Sequence, residues 1–369
     1  MSQPGSAEIV TDLRAGDPAL RQQRSLILLR AEAELARGDA RAAIETFDRA
    51  AMMLHAPDTE MGLVRAYMQA GEYRKALAFC AHTAGAHLES AGAAALYAWL
   101  LRAGGQRAVA DRTLDAALAR SPRDPVAQAA RLAFEQPAPV ATGSLLETPH
   151  RMAPQATMNS GATAAPETAE VVATGVLIDG GSRALVPSPS VGAKRNRALW
   201  VRNGLGRTSE AHVDETGQPL EAFGITVLRL AGGLEPSSEV EIAPRAPYAG
   251  SVGFVVEFAA SARPDAAWPQ LHHGFLGAAL AGGALRRLGI DVPAGPRGGP
   301  VFDAQGRLVG ISLRSASGEA MMLPASTWAP ALTPASASPM SSSTAPVAVT
   351  PELLYERALP MVLQVIVTR

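Results

Sequence analysis

Residues 295–313 read GPRGGPVFDAQGRLVGISL. Short apolar runs alternate here with turns that carry glycine or proline, the pattern of β-strands. The same texture holds from 171 to 330, so this stretch belongs to an all-β region of about 160 residues.

Outward from that region the composition changes twice in each direction. Residues 138–170 are rich in Pro, Ala, Thr, Ser and Gly and keep no apolar period, which marks a linker. Before it, residues 20–137 are rich in Ala, Leu and Arg with helical periodicity, preceded by an N-terminal segment, 1–19. On the other side, 331–349 form a second linker. The chain then closes with TPELLYERALPMVLQVIVTR, 350–369, where Thr350 can cap a helix and Pro351 can open it. Leu353, Leu354, Leu359, Val362, Leu363 and Ile366 make this tail strongly apolar, and Pro360 should kink or interrupt it. It is expected to be a C-terminal docking helix. Its target is its own helical groove, the β-region or a partner subunit, since free exposure of so much apolar surface invites aggregation.

The helical region repeats. Turn glycines Gly38, Gly71 and Gly105 are separated by 33 and then 34 residues. Small residues follow at a fixed offset, Ala43, Ala76 and Ala110, and again at Ala50, Thr83 and Ala117. A bulkier position lies between them at Phe47, Cys80 and Leu114. Glycine permits a tight turn between antiparallel helices, the small residues let those helices approach, and the bulky residue fills the space between neighbours. This spacing resembles the tetratricopeptide (TPR) repeat, and Tyr67, Tyr73 and Pro122 fit that pattern. Glu34 departs from it, standing where Tyr67 stands one repeat later. The residues near 125–135 should form a capping helix. The resemblance implies a concave surface that holds peptides or helices of other proteins.

The 295–313 stretch resembles the nucleophile segment of trypsin-like serine proteases of the HtrA type, in which G-x-S-G-G-P-V-F-D leads into a strand. Gly298, Gly299 and Pro300 match that motif, while Arg297 stands at the nucleophile position. Upstream, TGVLIDGGSRALVPSPSVG resembles the segment that carries the family's histidine and puts Pro189 at its place. EAFGITVLRLAG resembles the strand that carries the aspartate and puts Gly224 there. No His lies within 181–211 and no Asp or Glu within 222–234, so a shift of one or two residues restores nothing. The mechanism needs a hydroxyl nucleophile, an imidazole to take its proton and a carboxylate to hold the imidazole. Arg neither deprotonates in a protein nor attacks an acyl carbon. The resemblance thus implies a double β-barrel without its catalytic triad. The family's oxyanion donors map to Gly295 and Arg297, so an anion- or peptide-binding nest at Gly295, Arg297 and Gly298 is one possibility. The other is that Arg297 fills or salt-bridges a dead cleft.

Bulk properties narrow the field. The chain has 369 residues, 47% hydrophobic and 18% charged, with a formal net charge of −1, which gives no electrostatic case for nucleic acid or an anionic membrane. Cys80 is the single cysteine, so no intrachain disulfide can form. The first residues lack the apolar core of a signal peptide, and no 18-residue apolar run exists. A cytoplasmic protein is expected, and the heavy use of Ala and Arg points to a GC-rich bacterial genome. His272 and His273 are adjacent, so on a strand they face opposite sides and cannot readily share one ion. His82 and His87 lie near Cys80, which reads as a buried structural thiol. No metal and no cofactor are expected.

The expectation is therefore a multidomain α + β chain: an α-solenoid, an all-β double barrel, and an apolar helix. It would act as a non-catalytic scaffold or assembly factor that binds other proteins, as a homo-oligomer or within a larger complex. The alternatives are a peptide-binding chaperone or regulator that uses the dead cleft, and a peptidase with unusual catalytic residues.

Overall fold

The computed structural model describes residues 17–135, 169–192, 197–234, 241–258, 267–280, 284–292, 295, 297–315, 317–332 and 348–368. The segment 1–16 and nearly all of both expected linkers lie outside the described residues. The chain divides into a helical unit and a β-unit.

Among the described residues the helical unit has seven helices: α1 (Pro18–Ala36), α2 (Ala40–Met53), α3 (Pro57–Gln69), α4 (Tyr73–Ala86), α5 (Ala91–Ala103), α6 (Arg107–Arg120) and α7 (Pro125–Glu135). Caps set several starts. The Asp17 carboxylate accepts from the Ala19 N–H at 2.8 Å, and Asp39 accepts from the Ala42 N–H at 3.1 Å. The three turn glycines all adopt left-handed backbone, φ 80°, 79° and 85°, and so end α1, α3 and α5 where the sequence spacing expects. The repeated small and bulky positions are all buried, from Ala43, Phe47 and Ala50 through Ala76, Cys80 and Thr83 to Ala110, Leu114 and Ala117. Phe47 packs with Leu35, Leu63 and Ala66. Its ring lies directly over Gly62, where an added Cβ would sit 2.3 Å from Cε1, so glycine is what lets α2 and α3 meet. Glu34, out of pattern, is buried with an ion pair to Arg30 at 2.7 Å.

The β-unit holds two closed six-stranded antiparallel barrels. The second is the simpler: β6 (Ser251–Glu257), β7 (Gln270–Ala279), β8 (Arg286–Gly289), β9 (Pro300–Asp303), β10 (Leu308–Arg314) and β11 (Ala320–Pro324). Around the barrel they run β6-β7-β8-β11-β10-β9. Val255, Leu276, Ile290, Val301, Val309 and Met322 fill its interior. The 295–313 stretch supplies the last loop before β9, then β9, a turn and β10. Asp303 holds that turn by accepting from the N–H groups of Gln305 and Arg307 at 2.9 and 3.0 Å.

The first barrel contains β1 (Glu170–Ile178), β2 (Arg183–Pro187), β3 (Leu199–Asn203), β4 (Thr208–Val213), β5 (Ile225–Leu230) and β12 (Val362–Val367). Its order is β12-β1-β2-β5-β4-β3, which repeats the order of the second barrel. The place of the leading strand is taken by the last strand of the chain. A one-turn helix, α8 (Ser188–Val191), follows β2, and α9 (Ala325–Leu332) follows β11. The stretch 204–207 turns between β3 and β4 as a hairpin.

The tail differs from the expected single docking helix. A helix, α10 (Pro351–Ala358), does form, with the Thr350 hydroxyl accepting from the Leu353 N–H at 3.3 Å and proline in its first turn. It ends before Pro360, and Val362–Val367 then run as a strand between β1 and β3. Leu354, Leu359, Val362, Leu363 and Ile366 are buried in the β-unit, and Leu353 is half-buried. The reason is pairing: β1 and β3 each leave an open edge that VLQVIV closes on both sides, a gain a helix cannot supply. The segment also ties the barrels together. Tyr355 donates its hydroxyl to the Pro269 carbonyl at 2.7 Å, and the N–H of Gly204 donates to the Leu359 carbonyl at 2.9 Å. Among the described residues no helix is long and apolar enough to cross a membrane.

Candidate functional site

The seam between the barrels collects the positions singled out in the sequence. The loop ending in Arg297, Gly298 and Gly299 leads into β9 and lies against β1 and β2. The Thr174 N–H donates to the Arg297 carbonyl at 3.1 Å. Gly298 has φ 123°, and a Cβ there would lie 2.0 Å from the Thr174 carbonyl and 2.5 Å from Pro187 Cδ. Only glycine lets the loop approach β1 and β2 so closely. Pro187 ends β2, and α8 follows at once with Pro189 exposed in its first turn. The Ser188 N–H donates to the Gly224 carbonyl at 2.8 Å, and the Thr226 hydroxyl donates to Ser188 Oγ at 3.0 Å. The segments that carry Pro189, Gly224 and Arg297 are thus neighbours along this seam.

Those positions hold none of the hydroxyl, imidazole or carboxylate side chains of a Ser-His-Asp triad. Pro189 offers no base and Gly224 no carboxylate, and Arg297 carries a guanidinium that stays protonated. That guanidinium points inward. Arg297 is 8% exposed and donates from Nη2 to the Val292 carbonyl at 3.1 Å. The Gly298 N–H donates to Ser312 Oγ at 3.3 Å, so it is not an open anion donor. Gly295 is half-buried. At Gly295, Arg297 and Gly298 the guanidinium is thus directed inward, toward the Val292 carbonyl, and the Gly298 N–H toward Ser312.

Beneath the loop lies a carboxylate that the sequence reading did not single out. Glu257, the last residue of β6, is 2% exposed. The Ser312 hydroxyl donates to its Oε1, as does the Gly299 N–H at 3.3 Å. Burial drives its acidity toward the neutral form, and the Ser312 hydroxyl, the Arg297 charge, the Thr174 hydroxyl and the Gly299 N–H oppose this; the balance leaves its pKa raised to about 7. Burial lowers the pKa of Arg297, with Glu257 opposing and Arg314 reinforcing the shift. For both groups burial thus outweighs their mutual attraction. Thr174 comes from the first barrel and Glu257, Arg297 and Ser312 from the second, so the network joins the two. The available signal was a lone acid within an otherwise apolar strand, SVGFVVEF.

The other expected features are placed as follows. Tyr67 is half-buried and packs edge-on against Phe79. Cys80 is fully buried, and burial pushes its thiol far above the ordinary range. His272 is buried and His273 exposed, on opposite faces of β7.

No protein-family model and no curated protein matches the chain. Among solved structures, one match is the crystal structure of Rv3671c from M. tuberculosis H37Rv, the inactive form of a serine-to-alanine mutant. It is 18% identical, covers 43% of this chain and 78% of that one, and gives a TM-score of 0.31. So slight a likeness transfers no role. The architecture stands on the strands themselves: a helical N-terminal region, then two barrels that fit a trypsin-like double barrel.

Proposed function

We propose that this chain is a non-catalytic protein-binding scaffold in which a TPR-type array accompanies a trypsin-like double barrel that has lost its triad. One observation carries the reading: the loop position of the nucleophile is filled by a buried arginine turned toward Val292 and Glu257. The hydroxyls nearest that loop favour the same view. Ser312 is 1% exposed and is engaged by Glu257, so no substrate carbonyl can reach it. Ser188 is engaged by Thr226. An inward Arg297 also speaks against a peptide C-terminus bound in the cleft, so the chaperone reading is the weaker one.

The helical unit is the binding surface that remains. Leu26 and Leu29, one turn apart on α1, are 59% and 66% exposed. Apolar side chains of this kind supply contact area in helical arrays that hold other proteins. The tail, by contrast, is buried in the β-unit and does not act as a free docking peptide. The test is affinity capture from the source organism with the full-length chain and with a Leu26→Asp/Leu29→Asp variant. A defined set of proteins held by the first and lost by the second is expected. Equal capture by both would reject this surface.

A further inference from the structure

We propose that His55, Glu60 and His87 form a binding site for a late first-row divalent cation, with Zn²⁺ as the natural probe. The three residues come from separate places in the sequence. His55 lies in the connection between α2 and α3, Glu60 in the first turn of α3, and His87 caps the C-terminus of α4. The fold brings their ligand atoms within 4.8 Å of one another. Glu60 Oε1 lies 2.8 Å from His55 Nε2 and 3.4 Å from His87 Nε2. Zinc bonds of about 2.0–2.2 Å at tetrahedral angles put neighbouring ligand atoms about 3.3 Å apart, so the set needs only small adjustments to close on an ion.

Two further observations point to a ligand. Glu60 is 0% exposed and its Oε2 makes no hydrogen bond. A buried carboxylate with an idle oxygen is costly unless a positive charge compensates it. His87 is also oriented from behind: its Nδ1 lies 3.4 Å from Glu89 Oε1. A carboxylate on the Nδ1 side favours the tautomer in which Nδ1–H faces it and Nε2 keeps its lone pair, the arrangement that supports metal-bound imidazoles. His55 and His87 stack with ring centroids 5.7 Å apart, and the exposed His82 sits edge-on to His55 outside the ligand set. Two imidazoles and one carboxylate suit zinc, nickel or copper rather than magnesium or calcium, which prefer oxygen-only shells. A bound ion would clamp the α2–α3 connection to the end of α4, bracing one helical pair on the next, with its fourth position open to water.

The experiment is competition of the full-length chain with a chromophoric chelator for Zn²⁺, followed by X-ray absorption on the loaded protein. One equivalent is expected to bind in a nitrogen/oxygen shell. Glu60→Gln or His87→Asn should abolish that equivalent. Glu89→Gln should weaken it about tenfold or more, as loss of an orienting partner does. His55 is half-exposed, so His55→Asn gives a variant whose fold circular dichroism can confirm while binding is lost. His272→Asn/His273→Asn should leave the equivalent in place. Absence of a tight equivalent would overturn the proposal and leave a plain His–Glu ion pair. So would binding that survives His55→Asn and His87→Asn.

Discussion

Glu257→Gln gives the sharpest perturbation of the barrel seam. Glu257 has a folded pKa of about 7 against an ordinary 4.5. Below pH 4.5 both folded and unfolded chains carry the proton, and the group has no pH-dependent effect. As pH rises from 4.5 toward 7 the unfolded chain releases its proton first, so the folded state loses stability through that window and none beyond it. Two and a half pKa units at about 1.36 kcal/mol each come to about 3 kcal/mol. Glutamine keeps the carbonyl that accepts from Ser312 and Gly299 but cannot titrate. Its loss of charge opposite Arg297 is a constant offset across the window, because the guanidinium does not titrate there. The assay is urea unfolding of both proteins from pH 4.5 to 8, followed by tryptophan fluorescence, with other titrating groups cancelling in the difference. The variant should gain about 3 kcal/mol on wild type across the range. A difference that stays flat to within about 1 kcal/mol would refute the view that Glu257 is held neutral by burial.

Other substitutions test the packing. Gly62→Ala drives a methyl group into the Phe47 ring and should cost about 1–3 kcal/mol of helical-unit stability in thermal melts, with much of the loss restored by adding Phe47→Leu. Gly298→Ala meets the Thr174 carbonyl in left-handed backbone and should destabilise the β-unit by more than about 2 kcal/mol in urea. A chain ending at Pro334 lacks α10 and β12 and leaves β1 and β3 as open edges; it should aggregate, and a synthetic peptide covering 348–369 should restore solubility by adding the strand. Cys80 should resist thiol reagents in the folded chain and react only on unfolding.

The helical unit was legible because its signals are local. The 33- and 34-residue spacing of left-handed glycines, with small residues at fixed offsets, determines which faces meet. The β-texture from 171 onward was legible for the same reason. The tail was not, because a short apolar run such as VLQVIV suits a buried helix or a buried strand equally; the open edges of β1 and β3 decide, and they are more than 150 residues away in the chain. The strand order in which the chain's end completes its first barrel is likewise a property of non-local pairing. Glu257 meets Ser312 and Arg297 only once the barrel closes, and Thr174 only once the two barrels pack. His55 in the α2–α3 connection, Glu60 in the first turn of α3 and His87 at the end of α4 approach one another only when one helical pair stacks on the next.

The decisive measurement is reaction of the purified full-length chain with a fluorophosphonate probe alongside turnover of a fluorogenic peptide library. On the proposed reading, with Arg297 buried in the loop before β9 and both nearby serines engaged by other groups, neither labelling nor turnover is expected, and Arg297→Ala should change neither. Stoichiometric labelling at Ser188 or Ser312, with peptide cleavage abolished by changing that serine to alanine, would contradict the scaffold reading outright.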